Sequence, residues 1–540
     1  MISQILFPVA GSVLCYGVYQ LGHFLYGHLT HPLRNVDGPP SPSFFLGNFK
    51  DMATDAYLTK RWHDEFGPIF QFKGLFNTRQ LHISDVKALN HVIGRSVYQR
   101  PPATNEGRKA VVGNSVLVVG VEEHRRQRRI LDRAFGIAQI RAVTEIFVDK
   151  AVQLRDIWAA ELAKNNGAPA RLDVFDWLRR MTLDVIGQAG FGYKFHALET
   201  GGMGNALNDA FHELIHGPDA QRNILFMIAQ AMMPILKLVP FPGRKALADA
   251  HSTMFSVAAQ IVSESKEAIL AAEGEKALDS KRDLLSVLLK ANLSTSVPEN
   301  QRLTETEVVS QIPTFFAAGH ETTSAATSWA LHEFSLHPNI QEKLRSELFT
   351  VSTDNPTMEQ LNSLPYLENV VREILRVHAP VPSLERIATQ DDVLPLSKPY
   401  IDKAGRSYDT LLIPKGLIIH IPIWTVQTDK GIWGEDAGEF RPERWENVPE
   451  AVAAIPGVWA NLLTFYAGPT NCKRIGFRFS LTEMKALLFT LVRAFEFEPG
   501  VPEGGIGPTS AFLQVPVILS EPEKGGNLPL ILKPYNAEKF

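Results

Sequence analysis

Apolar residues recur at helical spacing through most of the stretch from 120 to 380, and again from 476 to 495. A chain patterned in this way folds mainly into helices that each bury one face. Strand-like stretches punctuated by Pro and Gly occur near 66–85, 381–425 and 508–533. The expected fold is therefore mainly α with a small β-rich lobe. No repeat, low-complexity tract or internal linker divides the body, although a surface loop is expected near 272–282, where Ala, Glu, Gly and Lys alternate.

Hydrophobic content of 45% and charged content of 21% describe a folded globular protein, neither disordered nor wholly embedded in a membrane. The formal net charge of -4 gives no global nucleic-acid signal. Two cysteines exclude a disulfide framework and fit a reducing compartment. Residues 2–33 contain no Asp, Glu, Lys or Arg, and the apolar run Ile5 to Leu25 has about the length that crosses a bilayer core. No basic residue precedes the run, which argues against a cleaved signal peptide. His23, Pro8 and three glycines weaken the span, so an embedded or re-entrant anchor stays open. Arg34, Lys50, Lys60 and Arg61 follow it, a bias that keeps the next domain cytosolic. The division expected is an anchor over 1–30 and a body over 31–540, joined by a stiff connector from Val36 to Pro42.

One cysteine, Cys15, falls in the apolar N-terminal run. The other, Cys472, ends the loop Phe465-Tyr-Ala-Gly-Pro-Thr-Asn-Cys472, just before a helical pattern. A lone interior thiol is a small buried hydrophobe, a nucleophile or a soft metal ligand, and the segment alone favours the first. The stretch Gln311 to Phe334 reads as one long buried helix with Ala318-Gly-His-Glu-Thr-Thr323 at its middle. Small residues at 317–319 let the backbone approach something flat or bulky, and Thr322 lies one turn beyond Ala318. Glu321 and Thr322 suit proton delivery; a closely packed helix with hydroxyls bonded to the previous turn accounts for them equally well. Further on, Glu373 and Arg376 share a helix face among Ile374, Leu375 and Val377, and Arg444 is a candidate third member of a buried charge cluster.

Taken together and in this order, these segments resemble a haem-thiolate monooxygenase of the cytochrome P-450 superfamily, of the membrane-anchored, microsomal, fungal type. The resemblance extends from the N-terminal apolar run to Gly526-Asn-Leu-Pro-Leu-Ile-Leu532. It implies a fold that holds haem b (iron protoporphyrin IX) between the long central helix and the helix after the Cys loop. It also implies Cys472 as the axial ligand of the iron, with Phe465 over the sulfur, Glu321 and Thr322 as an acid–alcohol pair, and Glu373, Arg376 and Arg444 as a buried salt-bridge set. Implied with these are O2, electrons from NADPH through a cytochrome reductase (cytochrome b5 being a further candidate donor), and a membrane location at the endoplasmic reticulum with the catalytic domain cytosolic.

The segment Val121 to Arg133 carries five arginines in nine residues, by itself a solvated basic face. At helical spacing His124 and Arg128 point one way, while Arg125, Arg129 and Arg133 form a neighbouring stripe. The family places Trp-x-x-x-Arg here, on the haem propionates; His124 stands in for the Trp, and Arg386 matches another propionate position. The remaining arginines suit an acidic electron-transfer partner. Spacing and resemblance give Thr314, Phe315, Ala318, Pro382, Leu384, Phe512 and Leu513 as substrate-facing, a mostly apolar set that implies a lipophilic substrate. A terpenoid-like secondary metabolite is expected, with a fatty acid as the rival. The Cys loop departs from the family pattern: Thr470 replaces an arginine, and Lys473-Arg474 delays the glycine to Gly476. That spacing keeps a haem-thiolate domain of impaired activity as an alternative. A haem-thiolate isomerase or dehydratase is a weaker one, because the Glu–Thr pair and the basic face are retained.

Overall fold

The computed structural model describes residues 30–540 apart from 165, 201–204, 217–225, 228, 231–242, 272–282, 294–297, 469–474, 511 and 536–540, together with residues 15, 17–19, 22 and 26. Among the described residues, seven helices frame the candidate site. They are α1 (Pro102–Val112), α2 (Val121–Ala134), α3 (Ile137–Lys164), α4 (Val174–Val185), α5 (Glu305–Leu336), α6 (Pro365–Val377) and α7 (Phe477–Ala494).

Helix α5, at 32 residues, packs against α1, α4, α6 and α7. It begins where Thr304 Oγ1 accepts from the Glu307 N–H at 3.3 Å and Glu307 Oε2 accepts from the Thr304 N–H at 2.8 Å. That reciprocal pair satisfies two of the orphan donors of the first turn. Helix α4 is started by Asp173, whose carboxylate accepts from the Phe175 and Asp176 N–H groups. It runs into a π-helical turn, Ile186–Gly190, that presses on α5. A Cβ on Gly319 would sit 2.7 Å from Ile186 Cδ1. The glycine of the central motif is therefore required by the α4 side of the helix, where Ile186 is the bulky neighbour. On another side α5 meets α7, and Thr323 Oγ1 and Ser480 Oγ lie 3.1 Å apart between them.

The β-rich part is built around a five-stranded sheet of β1 (Ile69–Lys73), β2 (Arg79–Ile83), β3 (Tyr98–Gln99), β4 (Leu384–Ala388) and β5 (Ile418–Ile421), in the order β1-β2-β5-β4-β3. β2 and β5 are parallel and the other neighbours antiparallel. The register lines up Phe70, His82, His420 and Glu385 as a row across one face. Strand 384–388 thereby carries Glu385 and Arg386 toward opposite faces of the sheet, because successive side chains alternate. Smaller sheets pair Asp392–Ile401 with Ser407–Ile413, and Ile506–Pro508 with Pro516–Ile518.

The three strand-like stretches of the sequence all contain strands, and the C-terminal helical pattern is α7. Strand Ala170–Asp173 falls inside the stretch expected to be helical. It pairs with Pro529–Leu532, more than 350 residues away, and local periodicity carries no trace of that partner. The expected loop at 272–282 lies outside the described residues, as does most of the expected anchor. Among the described residues no helix is long and apolar enough to cross a membrane.

Candidate active site

At the middle of α5, Glu321 and Thr322 turn to different neighbours. The Glu321 carboxylate, 2% exposed, meets Arg179 Nη2 of α4 at 3.2 Å and His320 Nε2 at 3.3 Å. Thr322 Oγ1 donates to the Ala318 carbonyl at 2.7 Å. Consecutive helix positions differ by about 100°, so the acid faces α4 while the hydroxyl lies on the stripe of Thr314 and Ala318. Ala318 is exposed and Thr322 partly so, in a helix that is otherwise almost entirely buried. Thr314 is buried and its hydroxyl donates to the Ser310 carbonyl at 3.2 Å.

A second group of residues comes from four separate stretches of chain. His124 on α2 is 1% exposed, and neither ring nitrogen has a hydrogen-bond partner. Burial pushes its pKa down to about 4, helped by the guanidiniums of Arg100, Arg128 and Arg125. The ring is therefore neutral at neutral pH, with one N–H to donate. Arg386 on β4 is buried, with its guanidinium carbon 4.9 Å from the Tyr466 ring centroid. Tyr466 is itself wholly buried with an unpartnered hydroxyl, and its phenol feels the positive charges of Arg386 and Arg100. Arg128 reaches Asp132 at 2.8 Å as well as lying beside His124. His124, Arg128 and Arg386 were named from the sequence; Arg100 and Tyr466, which carry no helical or motif spacing, were not. Arg100 follows directly on β3 and lies near enough to act on both His124 and Tyr466.

Phe465 is partly buried and packs edge-on against Trp459 at 5.8 Å and at a tilt against Phe477, the first residue of α7, at 5.9 Å. Residues 469–474, and hence Cys472 with Lys473 and Arg474, lie outside the described residues.

The third constellation is fully buried. Arg376 grips Glu373 in a bidentate pair, Nε to Oε2 at 2.9 Å and Nη2 to Oε1 at 2.7 Å. Arg444 Nε adds a bond to Glu373 Oε1 at 3.2 Å, and Trp445 Nε1 donates to Oε2 at 3.0 Å. The remaining guanidinium donors go to the carbonyls of Gln427, Ala437 and Glu439, from Arg376, and to Asp436, from Arg444. Every charge here is matched and all the guanidinium donors of Arg376 are filled, the condition under which burial of charge is tolerated. Asp436 and Trp445 complete the set and were not foreseen.

The expected substrate-facing residues separate. Ala318, Pro382, Leu384, Phe512 and Leu513 are at least partly exposed, and Phe512 is 59% so. Phe315 is buried against Phe135, with ring centroids 5.2 Å apart and edge to face.

The family model described as Cytochrome P450 matches residues 38–519 of this chain. The chain belongs to the cytochrome P-450 family. It is 47% identical to a protein of Postia placenta named Cytochrome P450 monooxygenase 205, over 94% of each chain. Identity to Cytochrome P450 monooxygenase 128 of the same fungus is 45%, over 97% of each. A Ganoderma lucidum protein named Ganoderic acid synthetase is 35% identical over 86% of this chain and 88% of its own. The protein is thus a cytochrome P-450 monooxygenase, and membership of the family carries with it haem, O2, a redox partner and a small-molecule substrate.

Proposed function

We propose that this cytochrome P-450 inserts one atom of O2 into a lipophilic, terpenoid-like secondary metabolite, using haem b and electrons from NADPH through a membrane-bound reductase. The observation that carries the reading is His124, a buried imidazole with both nitrogens unpartnered, beside Arg100 and Arg128, with Arg386 against the Tyr466 ring whose phenol also feels Arg100. A site of this kind calls for an anionic, multiply accepting group. The two carboxylates of a porphyrin supply it, with His124, the three arginines and the Tyr466 hydroxyl as donors. Cys472 is the soft ligand this reading assigns to the iron, and haem so ligated supplies the oxygen chemistry.

The chain's own residues do the rest. Thr322 presents its hydroxyl on the Ala318 stripe, and Glu321 holds a carboxylate one position away under the charge of Arg179, so protons are handled at two adjacent helix positions. Ala318, Pro382 and Leu384 give the substrate an apolar lining and keep water out. A fatty acid fits the same lining and remains the rival substrate. The relative named Ganoderic acid synthetase supports a biosynthetic role. The apolar N-terminal run supports anchoring at the endoplasmic reticulum with the catalytic part cytosolic.

The ferrous carbon-monoxide spectrum tests the central claim. A strongly red-shifted Soret band in the native protein, lost in Cys472→Ser because an alkoxide cannot replace sulfur's electron donation, is the expected result. An ordinary Soret position in the native protein sinks it. The late Gly476 favours a second reading, a domain with a disturbed thiolate turn. Under that reading deletion of Lys473 and Arg474 enlarges the thiolate signal; under the first it lowers haem occupancy.

A further inference from the structure

Three charged or aromatic side chains that the reading above does not use meet from three distant stretches of chain. Arg108 sits on α1, with its guanidinium carbon 5.7 Å from the centroid of the Phe512 ring. Glu385 sits on β4, directly before Arg386, and its carboxyl is close enough to be influenced by the Arg108 charge. Alternation along the strand sends Arg386 toward Tyr466 and Glu385 to the other face, and Arg108 lies near enough to feel both charges.

Among the described residues no acceptor takes a hydrogen bond from Arg108, although a guanidinium carries five N–H donors. It is partly buried, and burial is the main influence on it, pulling its pKa below the ordinary value. Burial pushes the Glu385 carboxyl the opposite way, upward, and outweighs the pull of Arg108. Among the described residues no ion pair joins Arg108 to Glu385, so the guanidinium is left without a matched partner of opposite charge. The exposed Phe512 ring steadies the cation from one side by its quadrupole and leaves the N–H edges free.

We propose that Arg108, backed by Phe512 and Glu385, anchors a carboxylate on an otherwise apolar substrate, so that the enzyme selects lipophilic acids over the corresponding alcohols. The inference rests on the lipophilic-substrate reading above and narrows it. A carboxylate matches the planar fork of the guanidinium in two parallel bonds, which a hydroxyl cannot do. A carboxylate brings one negative charge to one guanidinium, whereas a doubly charged group leaves its second charge without a partner. A monoanion is the fitting class.

The test uses the haem-loaded full chain, dodecanoic acid and dodecan-1-ol as probes, and calorimetric titration beside the ferric spectral shift. The native protein should bind the acid about 30-fold or more tightly than the alcohol, the range for a desolvated charge pair. Arg108→Leu should remove that preference by weakening the acid alone, with the alcohol within about twofold of native. Arg108→Lys should keep part of the preference, and Glu385→Gln should leave acid binding equal or tighter. Equal binding of the two probes by the native protein overturns the proposal. So does an Arg108→Leu variant that keeps the preference, or one that loses both probes equally, which is what a scaffold role gives. If a protein with a normal thiolate spectrum binds neither probe, the lipophilic-substrate reading falls and the Arg108 site falls with it. If the alcohol binds without any preference for the acid, only the Arg108 site falls.

Discussion

Arg179 reaches from α4 to the carboxylate of Glu321 at the middle of α5, Nη2 to Oε1 at 3.2 Å. Glu321 is almost fully buried, whereas about a quarter of the Arg179 side chain, 27%, is exposed. The acid of the central motif is thus tied toward the protein surface and away from the face that carries Thr322. Removing the guanidinium takes a paired cation from a buried carboxylate, and such a group takes up a proton to escape the cost. Arg179→Leu is expected to lower product formed per pair of electrons consumed several-fold, with substrate affinity little changed, while Arg179→Lys retains most of the coupling. Native coupling in Arg179→Leu would mean that Glu321 has no part in proton supply.

Glu373 and Arg376 are both 0% exposed, and their partners fill every donor and acceptor around them. Glu373→Gln or Arg376→Leu strands a charge in the interior, at a cost of about 3–5 kcal/mol. Holoprotein yield and thermal midpoint should fall sharply in both, with the ranking of substrates unaltered in whatever protein survives. A thermal midpoint within a degree or two of native in either variant contradicts the burial argument.

These two cases show what the sequence made legible. Glu373 and Arg376 lie three residues apart on one apolar helix, so their pairing follows from helical geometry, and Arg444 follows from resemblance. Asp436 and Trp445 are fixed only by how the segment after Trp433 wraps back over α6. Likewise α5 starts at Glu305, ahead of the apolar run from Gln311, and Thr304 and Glu307 carry the spacing of a capping box that marks this earlier start. Arg100, Arg108 and Arg179 escaped notice because each acts through a partner 24 to 277 residues away along the chain, as the positions of His124, Glu385 and Glu321 show. Isolated arginines in helices or loops look solvated until the fold sets them beside a buried group.

A buried imidazole pair in the β sheet gives a prediction about acid. His82 and His420 face each other with their Nδ1 atoms 3.2 Å apart, and His82 stacks on Phe70 with centroids 4.1 Å apart. Desolvation lowers both pKa values, His420 to about 4 and His82 well below its usual 6.5. The folded state therefore binds fewer protons than the unfolded one at mildly acid pH. Stability is kept above pH 6.5 and is lost progressively as pH falls toward 4, at up to about 1.4 kcal/mol per pH unit for each histidine. His420→Phe should flatten that fall in a plot of thermal midpoint against pH. A parallel curve, merely displaced, would show that the pair does not set the acid sensitivity.

His124 stands where related proteins are expected to carry tryptophan, and its surroundings say what the exchange demands. The ring is buried, unpartnered, and kept neutral by desolvation and three nearby guanidiniums. A neutral imidazole gives one N–H to an anion and offers one lone pair to a neighbouring arginine, so it can join a carboxylate to the rest of the cluster; phenylalanine fills the space but does neither. Loss of one such bond to a charged acceptor is worth about 1.5–3 kcal/mol, so His124→Phe is expected to release haem to excess apomyoglobin at least about tenfold faster. His124→Trp returns an N–H donor and should recover part of the retention, while Cys472 and the thiolate spectrum are untouched in both. The anion also reverses the electrostatics at the ring. A propionate beside His124 favours the imidazolium, so haem binding near pH 5 should take up a proton that the His124→Phe protein does not. Identical haem release and identical proton uptake in native and His124→Phe proteins would remove His124 from the haem site and leave its unpartnered nitrogens without a purpose.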